Sequence, residues 1–407
     1  MGLASEMTGV AAELETKSEE DRRAVVKRSA MIALIAFLTL IDLFGSQALL
    51  PGLVVKYGVS PAAMGFAVNA STIGMAMASL LVAIFARRID RKRGIWMCLA
   101  LLSLPTVGLA FTDDLAVFTA LRILQGVFMA AAFTLTLTYL SEVCTVTAVG
   151  GAMAAYITGN VASNLFGRLM AASLADNLGL SESFLGFAVL NLLGALAAYL
   201  YFGARSDPTT NPTESGSVIE AWKDHARNPR LWAMIAVGFV LLFVFVATFT
   251  YAGFVLVSDR FGLSGASLAW VNLVFLPAIL TTPVAARAIP RLGPGPAFRW
   301  ASFVALVGLV LLLVPWLPVF LLGLTLVGSG LFFAQSVATA SVARTVTHDH
   351  AAANGLYLSS YYLGGILGAL VIGQVFQASG WTMSVTLLAG LTALAMLLSR
   401  ASLAADQ

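Results

Sequence analysis

The chain has 407 residues, of which 59% are hydrophobic and only 11% charged, with a formal net charge of +3. A soluble domain carries roughly 25% charged residues, so an ordinary water-soluble protein is excluded and most of the chain is expected to face lipid or other apolar helices. The two cysteines, Cys98 and Cys144, rule out a disulfide framework and suggest no metal site.

The acidic-then-basic start, SEEDRRAVVKRS, precedes an apolar run with no small-residue cleavage site, and further apolar runs follow. The first run is therefore expected to be a retained helix. Stretches able to cross a bilayer as helices lie at 30–52, 63–86, 95–111, 115–140, 148–173, 183–203, 231–257, 267–289, 300–314, 319–343, 353–378 and 382–400. Lysine and arginine set their direction. Five precede span one, five lie between spans two and three, four follow span six, three follow span eight, and Arg344 and Arg400 follow spans ten and twelve. Those nineteen fall on one side. Only Lys56 and Arg260 fall on the other, and Arg122 and Arg168 lie inside spans. Both termini are therefore expected in the cytoplasm.

The loop at 204–230 is the one long polar interior segment, with a short amphipathic helix expected around 217–227. It divides the chain into a cytoplasmic segment 1–29, a six-helix bundle 30–203, the linker, a second bundle 231–400 and a tail 401–407. The halves echo each other: ARRIDR begins at Ala86 and ARAIPR at Ala286, each just after the second span of its half. Two parallel six-span repeats around a midplane site are a transporter plan.

Asp42, in LTLIDLFGSQALLPGL of span one, is the only acidic residue deep inside a span. An intramembrane ionisable group is a functional hypothesis by default. Burial penalises the ionised form and a nearby arginine favours it, a balance that lets a carboxylate gain and lose a proton. The alternative is a purely structural partner for an arginine. Thr39, Asp42, Ser46 and Leu49 share one helix face. Arg122 in span four lies roughly 10 Å deep and Asp42 roughly 15 Å, at 1.5 Å per residue, so the two could meet if spans one and four adjoin. Gln125 continues the Arg122 face. In span five Tyr156, Asn160, Asn164 and Arg168 recur every four residues, as a cavity face or as helix–helix glue; Arg168 is also close enough to the outer end to snorkel. Span eleven carries Tyr357, Tyr361 and Tyr362, able to cradle an amphipathic ligand or pack a core. Gln47 of span one, Thr248 and Tyr251 of span seven, Asn272 of span eight, and Gln335 and Thr339 of span ten are further lining candidates. Spans nine and twelve are expected to face lipid. The three histidines, His225, His348 and His350, fall in loops, and no phosphate-cradling loop or cluster of metal ligands suggests an enzyme, a cofactor or ATP-driven transport.

These motifs resemble the major facilitator superfamily, and within it the twelve-span drug:proton antiporter group. LRILQGVFMAA (121–131) is similar to the span-four motif, with Arg122 as its arginine, and IDLFGSQALLP (41–51) to a span-one motif that places Asp42. TYLSE (138–142), YITGN (156–160) followed by FGR (166–168), FFAQSVA (332–338) and LYLSSYYLGG (356–365) resemble the YnfM-like subgroup of inner-membrane exporters. The resemblance implies an all-helical fold of two pseudo-symmetric six-helix bundles, with spans one, four, seven and ten lining a central cavity. It implies a monomeric proton-coupled exporter in the inner membrane that binds a small molecule, protons and lipid, and neither a cofactor nor nucleic acid. Asp42 and Arg122 would couple the proton; Gln47, Arg122, Gln125, Asn160, Asn164, Arg168, Tyr251, Gln335, Tyr357 and Tyr361 would bind substrate. The loop motif after span two departs from the family: Arg87 stands where an aspartate is expected and Asp90 where a glycine is expected, so the cytoplasmic gate of Arg87, Asp90 and Arg91 is expected to be weaker or shifted. Uptake by symport and exchange of an organic anion are the rival transport modes, and a non-transporting receptor is a remote one.

Overall fold

The computed structural model describes residues 27–59, 61–85, 89–144, 149–203, 225, 227–263, 267, 270–281, 284–346 and 349–402. Arg87, His348, the segment before Lys27 and most of the 204–230 linker, including the expected amphipathic helix, lie outside these residues. Nine described helices are long and apolar enough to cross a membrane. The last of them, His350–Ser402, covers spans eleven and twelve and is broken at Gly380, whose φ is 75°. Span five is the helix Val149–Asn177, whose polar stripe lowers its apolarity. Span eight is a 3₁₀ turn, Val271–Phe275, followed by short helices Leu276–Thr281 and Ala285–Leu292. Pro277 falls where the 3₁₀ turn gives way to the first short helix, as expected of a residue that lacks the N–H donor and clashes with the preceding turn, and Pro290 lies within the second. Helical segments thus occupy all twelve expected spans.

Three helices start where a side chain satisfies free N–H groups of the first turn. Asp90 accepts from Arg93 N at 2.9 Å to cap span three, Arg91–Phe111. Asp114 accepts from Val117 N at 2.9 Å to cap span four, Leu115–Val143. Asn228 accepts from Arg230 N and Leu231 N ahead of span seven, Pro229–Val257. His350 opens the helix of span eleven, and His225 is buried.

Without a hydrophobic force between helices in lipid, close backbone approach has to come from small residues. Gly74 of span two meets the Ile123 carbonyl of span four, and Gly126 of span four meets the Ser71 carbonyl of span two. Gly159 of span five lies on the Ala33 carbonyl of span one, and Gly364 of span eleven lies on the Phe239 carbonyl of span seven. Gly364 follows Gly159 by 205 residues and Phe239 follows Ala33 by 206, so the same contact recurs in both halves. This is the internal repeat expressed as packing. Spans three, six, nine and twelve present exposed apolar side chains, among them Leu104, Leu200, Val310 and Leu397, a surface suited to lipid.

The first and last six spans meet at the end that carries Glu142 and Arg344. Asn354 Nδ2 of span eleven is 3.5 Å from Ser141 Oγ of span four. A side chain at Gly150 would touch Arg344 and Ile289. At mid-depth the rings of Phe133 and Tyr362 pack edge to face with centroids 6.5 Å apart.

Gly126→Ala is expected to drive its new methyl into the Ser71 carbonyl and cost about 1–3 kcal/mol, read as a lower melting temperature of the purified protein. Gly390→Ala, which meets open space, is expected to leave the melting temperature unchanged.

Candidate functional site

Asp42 stands near the middle of the Lys27–Ala48 helix of span one and is 1% exposed. Its Oδ2 accepts from Thr106 Oγ1 of span three at 2.8 Å, from Asn191 Nδ2 of span six at 2.8 Å and from Gln125 Nε2 of span four at 3.1 Å. Gln125 Nε2 also donates to Thr106 Oγ1 at 2.7 Å. The carboxylate is thus enclosed by four helices of the first half.

Arg122 is fully buried. Its Nε donates to the Val68 carbonyl at 2.9 Å, Nη2 to Ser71 Oγ at 3.1 Å, and Nη1 to Ser46 Oγ at 3.1 Å and to Gln125 Oε1 at 2.6 Å. Arg122 and Asp42 do not form an ion pair; Gln125 joins them. A guanidinium only donates, so Gln125 must turn its oxygen to Arg122 and its nitrogen to Asp42. The amide therefore bridges guanidinium and carboxylate through two hydrogen bonds, while Arg122 Nη1 also lies 3.5 Å from the Asp42 backbone carbonyl. Taking two such charges out of water costs several kcal/mol each, and the dense neutral hydrogen bonding offsets that cost.

A second polar cluster lies on span five. Arg168, half-buried, donates from Nε to Asn164 Oδ1 at 3.0 Å and from Nη2 to Gln47 Oε1 of span one at 2.6 Å. Gln47 Nε2 donates to Asn69 Oδ1 of span two at 3.0 Å. Asn160, four residues below Asn164, is buried with its Oδ1 unpartnered.

A third group lies between the halves. Phe133 of span four packs on Tyr156 of span five at 4.7 Å and on Tyr362. Tyr357 and Tyr361 stack at 6.3 Å between centroids. Tyr361 and Gln335 border one small void with Phe245 and Phe332. The hydroxyls of Tyr357 and Tyr362 and the Gln335 amide nitrogen are buried without a protein partner. Tyr251 sits apart, its hydroxyl donating to the Ala369 carbonyl of span eleven at 2.6 Å, and ties spans seven and eleven together.

The sequence candidates therefore separate into three places. Asp42, Arg122 and Gln125 come together; Gln47, Asn164 and Arg168 come together; Tyr357, Tyr361 and Gln335 border the seam between halves. At the gate, Asp90 is engaged as a helix cap, and Arg91 Nη2 pairs with Glu142 Oε1 of span four at 3.0 Å. Thr106 and Asn191 were not singled out in the sequence. Asn191 is an amide within an otherwise apolar stretch, FAVLNLLG, and Thr106 follows a mid-span proline; either oddity is a usable signal.

Thr106→Val keeps the side-chain shape and removes one donor from Asp42. It is expected to cost about 1–3 kcal/mol. Arg122→Leu leaves a buried carboxylate without its counter-charge and is expected to cost about 3–5 kcal/mol. Melting of the purified variants orders the two; equal, negligible shifts would show that this network does not hold the first six spans together.

Comparison with known proteins agrees with this architecture. The sequence model of the Major Facilitator Superfamily matches residues 32–310 and 254–406. The MFS-type transporter YybF of Bacillus subtilis (strain 168) is 25% identical over 345 residues, covering 85% of each chain. The inner membrane transport protein YnfM of Escherichia coli (strain K12) is 26% identical over 339 residues, 83% of this chain and 81% of its own. The structure of the proton:xylose symporter XylE superposes with a TM-score of 0.73 at 16% identity, over 92% of this chain and 94% of that one, a likeness of fold. With twelve helical spans, a repeated packing contact and a family match along nearly the whole length, this chain belongs to the Major Facilitator Superfamily and is a multi-pass membrane transporter, not an enzyme.

Proposed function

We propose that the protein is a proton-coupled secondary transporter that exports a small organic molecule across the bacterial inner membrane by alternating access. The observation that carries this reading is the setting of Asp42. A direct ion pair with Arg122 would hold the carboxylate ionised. Instead three neutral donors meet Oδ2, and the arginine acts through Gln125. The donors on Oδ2 serve the ionised acid, and Oδ1, buried with no protein partner, can take up a proton without breaking a salt bridge, as a site that loads and releases a proton in each cycle requires.

In this reading both termini are cytoplasmic, the bundles 30–203 and 231–400 move against each other about the 204–230 linker, and the working unit is a monomer. The contacts of Asn354 with Ser141 and of Gly150 with the Arg344 region close the cytoplasmic end, so the cargo path opens outward. Asn160, Gln335, Tyr357 and Tyr361 line that path, and Arg122 and Gln125, being enclosed, tune the proton site. Arg87, Asp90 and Arg91 form the cytoplasmic gate.

The test uses inverted membrane vesicles with a respiration-driven pH gradient and a pH-sensitive dye. Transported compounds are expected to dissipate the gradient with the wild type and to leave it intact with Asp42→Asn. Equal dissipation by both proteins would make Asp42 structural and refute the proposed coupling.

A further inference from the structure

We infer that the Arg168 cluster is an anion site and that the cargo carries a carboxylate. The inference rests on the reading of this chain as a transporter with a path between its halves.

The argument is one of hydrogen-bond direction. Arg168 Nε–H can only donate, so Asn164 must present Oδ1 to it. That fixes the Asn164 amide and leaves its Nδ2 as a donor. The same logic runs outward from Nη2: Gln47 must accept through Oε1, its Nε2 then donates to Asn69 Oδ1, and Asn69 Nδ2 donates to the Gly65 carbonyl at 2.9 Å. Along the chain Arg168–Asn164–Gln47–Asn69 every amide oxygen is therefore already engaged, and the one free acceptor nearby is Asn160 Oδ1, a turn further along span five. Beside the guanidinium itself, what remains free to bind are donors. Asn164 is fully buried and its Nδ2 has no protein acceptor, an unfavourable state that a ligand's acceptor would relieve.

Charge points the same way. Among the described residues no carboxylate pairs with Arg168, and its hydrogen bonds go to two neutral amides. Arg122 makes a useful contrast. It is wholly enclosed by Val68, Ser46, Ser71 and Gln125, whereas Arg168 keeps part of its surface open.

Helix geometry says where that surface looks. Gly150, on the same helix, faces Arg344 and Ile289 of the second half. Asn164 and Arg168 follow it by close to four and five whole turns at 3.6 residues per turn. Both therefore lie on the side of span five that Gly150 turns to the second half, with Arg168 leaning across to Gln47 of span one.

A planar guanidinium fork beside a buried amide N–H suits a carboxylate. One positive charge matches a monoanion. A phosphate dianion would carry a second, uncompensated charge into a site of low polarity, so the carboxylate is favoured.

Purified protein in lipid nanodiscs would be titrated with benzoate and hexanoate, and with benzamide and hexanamide as uncharged counterparts of the same shape, by isothermal calorimetry. At least one acid is expected to bind ten or more times tighter than its amide. Arg168→Gln is expected to weaken acid binding tenfold or more. Asn164→Asp places a carboxylate beside the guanidinium and is expected to abolish acid binding, while Arg168→Lys retains part of it; melting curves confirm that each variant is folded. Equal binding of acid and amide, no acid binding by the wild type, or wild-type affinity in Arg168→Gln and Asn164→Asp would each overturn the inference. If the wild type exchanges protons for a cationic drug through Asp42 and binds no acid, the anion site fails and the proposed function stands. If an acid binds through Arg168 and its transport ignores Asp42→Asn, the reverse holds.

Discussion

A carboxylate and a guanidinium buried in the same helix bundle, inside a membrane, are the constraint around which the first half of this protein is organised. Each would cost several kcal/mol alone. The sequence meets much of that cost with neutral groups: Thr106 from span three and Asn191 from span six on Asp42 Oδ2, Ser46 from span one, Ser71 and the Val68 carbonyl from span two on Arg122, and Gln125 between the two charges, while Asp42 Oδ1 stays without a protein partner. One consequence is mechanical. Spans one, two, three, four and six are joined through a single polar network, so the first half can move as a unit.

Among its described residues the second half shows no such network, and it is held differently. Gly364 and Gly368 let span eleven lie against the carbonyls of Phe239 and Phe243. Aromatic contacts join Phe245, Phe249, Phe275 and Phe332. The glycine contact between spans seven and eleven repeats that between spans one and five, while the charged centre is not repeated. The common ancestry of the halves is thus visible in backbone packing, and their difference in the polar residues placed on it.

The two intramembrane arginines differ in kind although both are isolated charges in apolar surroundings. Arg122 has its donors occupied by a closed cage that includes the Asp42 backbone carbonyl, and one amide bridges it to the Asp42 carboxylate. Arg168 is ordered from one side by Asn164 and Gln47 and remains open on the other. Composition counts them as two equal charges; hydrogen-bond direction makes one a structural and electrostatic element and the other a donor surface.

The places of the spans and the repeat were legible in the sequence, because each depends on local facts. A helix in lipid must satisfy its own backbone and needs about twenty apolar residues, and an acid or arginine amid apolar residues stands out whatever its partners. Helix ends were not: span three begins at Arg91, a turn before the expected 95, and span eight divides into a 3₁₀ turn and two short helices. That Asp42, Arg122 and the span-five stripe were candidates at all followed from this cost of burial. Their grouping did not. Whether Asp42 meets Arg122 directly or through Gln125, and that Thr106 and Asn191 complete the site, depends on which faces of spans three, four and six turn toward span one. Those rotations are decided by glycine contacts such as Gly74 and Gly126 between helices far apart in the chain. Polar residues one at a time, and the lipid they cross, were the sequence's to determine; the choice of partner for each polar atom belonged to the tertiary structure, because a hydrogen bond needs two groups brought within about 3 Å and only packing brings them there.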